Sequence, residues 1–245
     1  MKSILITGCN RGLGLGLVQR LTQIKNPPEN IFATCRDVTK AQKLKEISEH
    51  CNNVHIIEFE LTDTNNYEKL VKTVADKLGD GKLNVLFNSA GISTKFARIG
   101  NVKAEQLTEC YFINTVVPIM LTKAFLPLLK KAAIGKKEFG IDRAAIINMS
   151  SILGSISENK TGGFYPYACS KSALNAATKS MSIDLENDGI LVACLHPGWV
   201  KTDMGGNNAP LDVDTSVRDI IKTLQSLKKE HNGCFLQHDG TKLPW

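Results

Sequence analysis

Short apolar runs alternate along this chain with segments whose apolar residues recur at helical spacing. The runs have the length and composition of strands. We place them near residues 3–7, 31–35, 54–59, 83–87, 144–149, 191–195 and, as an edge strand, 234–237. Alternation of strand and helix predicts an α/β fold, with a doubly wound, mainly parallel, seven-stranded sheet flanked by helices.

Two of the helical segments have the clearest pattern. The apolar spacing over 67–78 predicts a helix that ends at Gly79. The long run 105–131 is also helical in pattern, and Pro118 and Pro127 are expected to bend or divide it.

The chain of 245 residues has no linker and no low-complexity tract. One domain covering residues 1–245 is therefore expected, and a chain of this length buries a sizeable core. Ligands of doubly wound sheets bind beyond the carboxyl ends of the strands. Several residues that come directly after proposed strands should therefore gather at one edge: Gly8, Arg36, Asn88, Ser151 and Pro197.

Composition narrows the classes of function. The seven cysteines are scattered and lack metal-ligand spacing, which indicates free thiols in a reducing compartment and no metal site. No signal segment and no apolar run long enough to span a bilayer is recognised, so the cytoplasm is the expected location. The net charge of +6 comes from isolated basic pairs without interleaved aromatic residues, so no nucleic-acid partner is expected.

The first strand stops at a glycine-rich turn that contains Gly8, Gly12 and Gly14. A buried strand that feeds such a turn and then a helix can hold a dinucleotide pyrophosphate on backbone amides. The spacing is not G-x-G-x-x-G, so that fingerprint is not claimed. An ordinary strand-to-helix turn is the alternative.

Tyr167 and Lys171 stand four residues apart, downstream of Ser150 and Ser151. On a helix the phenol and the ammonium share one face, and the lysine charge is expected to lower the tyrosine pKa from its free value near ~10. Such a phenol can act as the acid when a carbonyl is reduced. The pair alone is more typical of a solvated helix, so its context decides.

That context resembles the classical short-chain dehydrogenase/reductase family over essentially the whole chain. The motifs that carry the resemblance occur in family order: Thr-Gly-x-x-x-Gly-x-Gly at 7–14, Asn-Ser-Ala-Gly at 88–91, Asn114, Ser151, Tyr167-x-x-x-Lys171 and Pro197-Gly198. The resemblance implies a Rossmann-like domain. Within the family, segments 6–18 and 196–206 are most similar to carbonyl reductases of the sniffer type.

Two positions depart from the family pattern. The usual Asn-Asn-Ala-Gly is here Asn-Ser-Ala-Gly, and Glu60 stands where an aspartate commonly contacts adenine. Serine keeps a small hydrogen-bonding group, and glutamate keeps the acceptor on a longer stem.

By resemblance, Tyr167 is the acid, Lys171 lowers its pKa and binds the nicotinamide ribose, and Ser151 hydrogen-bonds the carbonyl oxygen. Asn114 would complete a proton relay through water. The alternative for Asn114 is a helix-interior amide that satisfies nearby backbone groups.

Two of these residues have rivals. Ser150 competes with Ser151, but strand alternation points the two apart and the second serine matches the family position. Tyr165 competes with Tyr167, but only Tyr167 stands four residues before the lysine.

The resemblance also implies a cofactor-binding set. Val200 and Thr202 would contact the nicotinamide carboxamide. Independently of the resemblance, the nearby stretch is flexible and of mixed polarity, as suits a substrate lid; it comprises Trp199, Met204, Gly205-Gly206 and Asn207-Asn208. The full cofactor-binding set is Gly8, Asn10, Arg11, Gly12, Leu13, Gly14, Arg36, Glu60, Leu61, Asn88, Ala90, Gly91, Tyr167, Lys171, Pro197, Gly198, Val200 and Thr202.

The choice of cofactor depends on the end of the second strand. The neutral Cys35 stands where an acidic residue would hold a ribose hydroxyl, and Arg36 follows it. Arg11 and Arg36 could grip a 2′-phosphate, which predicts NADPH (NADP⁺) over NADH. Asp37 is the counter-evidence, because a one-residue shift would place its carboxylate at the ribose.

The predicted function is an NADPH-dependent carbonyl reductase that acts on aldehydes, ketones or quinones. An alcohol or steroid dehydrogenase of the same fold is one alternative, and a cofactor-binding sensor or scaffold with little turnover is another. A small-molecule carbonyl substrate is the expected partner, with no membrane partner. A homodimer through the run 105–131 is favoured, although segment 134–142 could obstruct it.

Overall fold

A computed structural model of the chain describes all 245 residues. Its eight strands are β1 Ser3–Ile6, β2 Asn30–Cys35, β3 Val54–Glu58, β4 Val85–Asn88, β5 Ala145–Met149, β6 Leu191–His196, β7 Phe235–Gln237 and β8 Lys242–Leu243. They form one sheet in the order β3-β2-β1-β4-β5-β6-β7-β8. The first seven are parallel to their neighbours, and β8 is antiparallel to β7.

Helices connect the strands and cover both faces of the sheet. They are α1 Gly12–Gln23, α2 Gln42–His50, α3 Tyr67–Leu78, α4 Ala104–Tyr111, α5 Val117–Ala133, α6 Tyr165–Asp184 and α7 Val213–Ser226. The order of strands reverses between β1 and β4, so the crevice at their carboxyl ends is where a doubly wound sheet binds its ligand. The predicted Rossmann-like class is confirmed.

Alternation along the buried strands divides the core between the two faces. In β1, Ile4 packs into the cluster under α1 and α7, whereas Leu5 packs into the cluster with α3 and α5. Each fully buried Leu, Ile or Phe side chain contributes about 1.5–3 kcal/mol relative to exposure. Burial on both faces explains why the parallel strands read as continuous apolar runs.

All seven predicted strands are present, but the predicted strand count is wrong by one. The missing strand, β8, has only two residues and is not a buried apolar run, so no periodicity marks it. It pairs with β7 as a short antiparallel edge. The helix predicted over 67–78 is confirmed, and Gly79 ends it with a φ of 67° and an N–H bond to the carbonyl of Ala75.

The prolines do not divide the long helical run as expected. Helical structure is continuous from α4 through a π-helical turn, Phe112–Val116, into α5. Pro118 lies in the first turn of α5 and Pro127 inside it. The irregularity is therefore the π turn. It ends two residues before Pro118, which has no N–H to donate to the carbonyl of Asn114.

The sequence was expected to contain no apolar stretch long enough to span a bilayer. One helix contradicts this expectation in its length and composition. The continuous helix Ala104–Ala133 is long and apolar enough to span one. Half of its most apolar part is buried inside the fold, as in a core helix. Length and composition alone are therefore weak evidence for a membrane segment here.

Candidate active site

The glycine-rich turn lies at the carboxyl end of β1 and leads into α1. A Cβ on Gly14 would overlap the carbonyl oxygen of Gly8, so the turn could not form with a side chain at this position. Gly8 has a φ of 73°, and a Cβ there would lie 3.0 Å from the Cα of Ala90. The turn thus leaves backbone exposed at the positive end of α1, which is where a phosphate binds.

The Asn-Ser-Ala-Gly segment follows β4, the neighbour of β1. The hydroxyl of Thr7 accepts hydrogen bonds from the N–H groups of Ser89 and Ala90, each at 3.0 Å. The Asn88 amide donates to Asn148 Oδ1 at 2.8 Å, and its own oxygen is buried without a partner. The end of β1 therefore holds this segment against the glycine turn.

Asn114 lies in the π turn and is fully buried. Its side chain pairs with both backbone groups of Ile92: Oδ1 accepts from the N–H, and Nδ2 donates to the carbonyl oxygen, each at 2.9 Å. Nδ2 also donates to the Ser170 hydroxyl at 2.9 Å. The Asn114 side chain therefore holds the segment after Gly91 against α6. A relay role for Asn114 stays a prediction.

Ser151 lies two residues after β5 in an extended conformation, and it caps a 3₁₀ turn, Ile152–Gly154. Its hydroxyl accepts from the N–H of Leu153 at 3.2 Å, and it lies near enough to Tyr167 to lower the pKa of that phenol. The Ser150 hydroxyl points elsewhere and donates to Asn175 at 2.6 Å. The structure therefore brings Ser151, and not Ser150, to Tyr167.

Tyr167 and Lys171 share one face of α6, as their spacing predicts. The ammonium of Lys171 lies 5.7 Å from the centre of the Tyr167 ring and donates to the carbonyl oxygen of Met149 at 2.7 Å. Lys171 is 3% exposed. Gly91 packs against the same lysine. A Cβ on Gly91 would lie 3.0 Å from Asn114 Oδ1 and 3.5 Å from Lys171 Nζ, so the glycine allows its segment to approach both side chains closely.

The expected lowering of the tyrosine pKa is wrong for this structure. Burial raises the pKa of Tyr167 to about 12, against the nearby Ser151 hydroxyl, which lowers it. Burial also lowers the pKa of Lys171 to about 8. Both charged forms lose hydration in the same pocket, and this loss is the largest influence on each of the two pKa values.

The loop after β6 returns to the glycine turn. The carbonyl of Pro197 accepts a hydrogen bond from the Ser216 hydroxyl of α7 at 2.6 Å. Val200 is buried and pairs with Leu211, which holds the loop in place. Thr202 faces the turn, since a Cβ on Gly12 would lie 3.7 Å from its methyl group. Residues about 190 positions apart thus line one crevice.

On either side of Thr202 the loop carries a large exposed apolar side chain. Trp199 and Met204 are about half exposed, and the Trp199 indole donates to the carbonyl of Gly205 at 2.7 Å. This stretch is the predicted substrate lid, and its exposed apolar groups suit a cover over an apolar ligand.

The outer end of the crevice is charged and exposed. Arg36 directly follows β2 and is exposed, and Arg11 forms an ion pair with Asp203 at 2.7 Å. Asp37 is engaged locally: it accepts from the N–H and hydroxyl of Thr39 and pairs with Lys40 at 3.0 Å. These hydrogen bonds lower the pKa of Asp37 to about 2.

The residues after β3 lie at the same edge. Glu60 is exposed and accepts from the N–H and hydroxyl of Thr62, at 3.2 and 2.9 Å. Leu61 is buried, and its carbonyl oxygen accepts from the hydroxyl of Tyr67 at 2.6 Å. Asn10 and Leu13 belong to the glycine turn and the first turn of α1.

Sequence patterns missed several residues that build this site. Ser170, Ser172 and Asn175 are polar groups of α6 that contact the Asn114 and Ser151 segments. The available signal was helical spacing, since Asn175 stands one turn after Lys171. Phe164, before α6, has a left-handed φ of 51°, and nothing in the sequence indicates it.

The model of the family described as short chain dehydrogenase matches residues 2–211 of the chain. Among curated proteins, an uncharacterised oxidoreductase of Schizosaccharomyces pombe is 32% identical over 100% of this chain and 98% of its own length. The Myxococcus xanthus protein called C-signal is 37% identical over 71% of this chain and 100% of its own length.

Solved structures also match. The carbonyl reductase Sniffer of Drosophila melanogaster is 54% identical with a TM-score of 0.99, over 100% of both chains. An NADPH-bound carbonyl reductase from chicken fatty liver is 41% identical with a TM-score of 0.95, over 100% of this chain and 99% of its own. The predicted similarity to sniffer-type reductases is confirmed.

Proposed function

This chain belongs to the short-chain dehydrogenase family, and we propose that it is a carbonyl reductase that uses NADPH to reduce aldehydes, ketones or quinones. The observation that carries the proposal is the meeting of Ser151, Tyr167 and Lys171 beside the glycine turn, in the crevice where the strand order reverses. The relatives support it, because the Drosophila and chicken proteins are both described as carbonyl reductases.

The residues present fit a dinucleotide. The turn at Gly8 and Gly14 is too tight for any side chain, and it aims the amino end of α1 at the crevice. At the outer end, Arg11 and Arg36 are exposed and can approach a 2′-phosphate. Asp37 is held by Thr39 and Lys40, which weakens the case for a carboxylate at the ribose.

When bound, the nicotinamide supplies the hydride that adds to the carbonyl carbon. The carbonyl oxygen then gains negative charge, which the hydroxyl of Ser151 stabilises by a hydrogen bond. Tyr167 donates the proton that completes the alcohol. A phenol kept protonated by burial is suited to this step, because reduction begins with the acid in its neutral form.

Lys171 and Asn114 support the acid in this proposal. Lys171 is held by the carbonyl of Met149, and its ammonium stabilises the phenolate left after the proton has moved. The side chain of Asn114 is committed to Ile92, so a relay through Asn114 would use its backbone carbonyl. Pro118 cannot donate to that oxygen, which leaves it without its α-helical partner.

The alternatives predict different behaviour. A dehydrogenase working in the oxidative direction would favour NAD⁺ and an alcohol. A binding protein with little turnover is the other alternative, and the name C-signal of the Myxococcus relative shows that one member of the family carries a signalling name. The Ser151, Tyr167 and Lys171 set favours catalysis.

The test is steady-state oxidation of NADPH, with NADH in parallel, against a panel of quinones and aromatic aldehydes. We expect turnover with NADPH and a fall in kcat of about 10²- to 10⁴-fold in Tyr167→Phe, because the acid is lost. Tyr165→Phe is the matched control, since it removes a hydroxyl two residues away, at the start of the same helix. It should retain turnover.

Two results would contradict the proposal. Equal turnover by wild type and Tyr167→Phe would mean that another group is the acid. Tight NADPH binding without turnover on any member of the panel would favour the binding-protein alternative.

A further inference from the structure

Asn175 is buried at 4% exposure, one helical turn after Lys171, and is not part of the proposed chemistry. Both ends of its amide are used. Its Oδ1 accepts from the Ser150 hydroxyl at 2.6 Å, and its Nδ2 donates to the carbonyl oxygen of Gly154 at 3.1 Å. A buried amide with both groups paired is fixed in orientation, because turning it would leave the donor and the acceptor unpaired.

The two partners of Asn175 lie on either side of Ser151. Ser150 precedes it directly, and its N–H is held by the carbonyl of Leu195 at 2.8 Å. Gly154 ends the 3₁₀ turn that Ser151 begins, and its N–H donates to the Ser151 carbonyl at 2.8 Å. One side chain of α6 therefore fixes both ends of the segment that carries the serine.

The same helix carries the acid, so the contact sets the serine relative to the tyrosine. The turn and the helix also touch directly: a Cβ on Gly154 would lie 2.8 Å from Lys171 Cβ and 2.9 Å from its backbone carbon. The hydroxyl of Ser172 adds a second bond to the Gly154 carbonyl at 2.9 Å. Moving the turn would therefore move Ser151 relative to Lys171.

We propose that Asn175 is a positioning residue for the reaction: it brackets the Ser151 turn and aligns the serine hydroxyl with the Tyr167 phenol. It touches neither substrate nor cofactor in this role. The proposal rests on the proposed function, because the alignment matters for kcat only if the serine and the tyrosine act on one oxygen.

The main test is Asn175→Leu, which keeps the size of the side chain and removes both hydrogen bonds. We expect kcat to fall about 10- to 100-fold, because a misplacement of about 1 Å costs on that order. The KM for NADPH should change by less than about twofold, since the glycine turn is untouched.

Thr178→Val is the matched control. Thr178 lies on the same helix and is fully buried, and its hydroxyl accepts a hydrogen bond from Asn148 Nδ2 at 2.8 Å, away from the Ser151 turn. The valine variant loses this bond. It should lower stability without a comparable fall in kcat. Equal falls in kcat for Asn175→Leu and Thr178→Val at the same fraction folded would overturn the proposal. If Asn175→Leu does not fold, Asn175→Ser replaces it in the test, and the same fall in kcat is expected.

A double-mutant cycle separates positioning from general structural damage. If Asn175 acts through Ser151, then Asn175→Leu combined with Ser151→Ala should have the kcat of Ser151→Ala alone. Multiplying effects would show that Asn175 acts independently of the serine, and the proposal would fail.

A measurement without turnover distinguishes this proposal from the function it rests on. Hydrogen exchange of the amide of Gly154 should be faster in Asn175→Leu than in wild type and Thr178→Val, since the turn is less constrained. Unchanged exchange would overturn the proposal that Asn175 holds the Ser151 turn, even if the enzyme is active. Faster exchange in a protein that reduces no carbonyl would support the role of Asn175 in holding the turn, and it would reject only the proposed function.

Discussion

Around Lys171 and Asn175 the polar side chains are buried and hydrogen-bonded, whereas around Arg11 and Arg36 they stand in solvent. Lys171 and Asn175 are less than 5% exposed, and each is held by a group on the strand or turn beside α6. At the outer rim, the side chains of Arg11 and its partner Asp203 are 69% and 73% exposed. One end of the crevice is therefore buried and fixed by hydrogen bonds, and the other end is exposed to solvent.

The difference follows from what each end has to do. Groups that stabilise a developing charge act best when they are already in place, so that no reorganisation is needed during the reaction. A rim that recognises a charged ligand must keep its arginines hydrated and at most weakly paired until the ligand arrives. Such exposed ion pairs are typically worth only about 0–1 kcal/mol, so Arg11 can leave Asp203 at little cost.

The strongest test of the buried end is Lys171→Met. The pKa of Lys171 is lowered by burial from 10.5 to about 8 in the folded state, so between those pH values the unfolded chain binds more protons. The free energy of unfolding of wild type should gain roughly 3 kcal/mol from this residue as the pH rises from 8 to 10.5. Urea unfolding at a series of pH values measures it.

Lys171→Met should lack this gain. The difference between the two stability curves isolates the lysine, because Tyr167, whose raised pKa lowers stability above pH 10, is present in both proteins. Parallel curves for wild type and variant would mean that the lysine is hydrated in the folded state, and the contrast with the rim would disappear.

At the rim, Arg36→Ser should weaken NADPH binding about 10- to 100-fold, the usual loss for a hydrogen bond to a charged group. NADH binding should change little, because NADH lacks the 2′-phosphate. Arg11→Ser should have an effect that is smaller by up to about fivefold, since Arg11 must first leave Asp203 at a cost of about 0–1 kcal/mol. Fluorescence titration with both cofactors measures these affinities.

Arg20→Ser controls for the loss of positive charge, since Arg20 lies at the far end of α1 from the glycine turn. It should leave the ratio of the two affinities unchanged. A similar loss of NADPH and NADH affinity in Arg36→Ser would show that Arg36 does not contact the 2′-phosphate. The predicted preference for NADPH over NADH would then be withdrawn.

The smallest effect is expected for Asp37→Ala. Asp37 is engaged by Thr39 and Lys40, so its removal should change the NADPH to NADH preference by less than about threefold. A shift of tenfold or more toward NADPH, measured in the same titration, would show that the carboxylate faces the ribose and opposes the phosphate.

Much of the fold could be predicted because its strands are buried on both faces. That burial makes most of the parallel strands continuous apolar runs, which locates them and hence the edge where the candidate site residues meet. The two-residue β8 and the π turn at Asn114 left no such pattern. The π turn coincides with a pairing to Ile92, 22 residues away, which no local rule contains.

The sequence by itself determined the kinds of groups in the site and their order: a glycine turn, a serine, a Tyr-x-x-x-Lys pair and an arginine after the second strand. Tertiary structure alone decided how those groups behave. Burial raises the pKa of Tyr167 where spacing predicted a fall, and Asn175 holds the serine turn without any motif. The reason is physical: hydration and distant hydrogen bonds depend on what packs around a residue, and spacing along a chain does not record its surroundings.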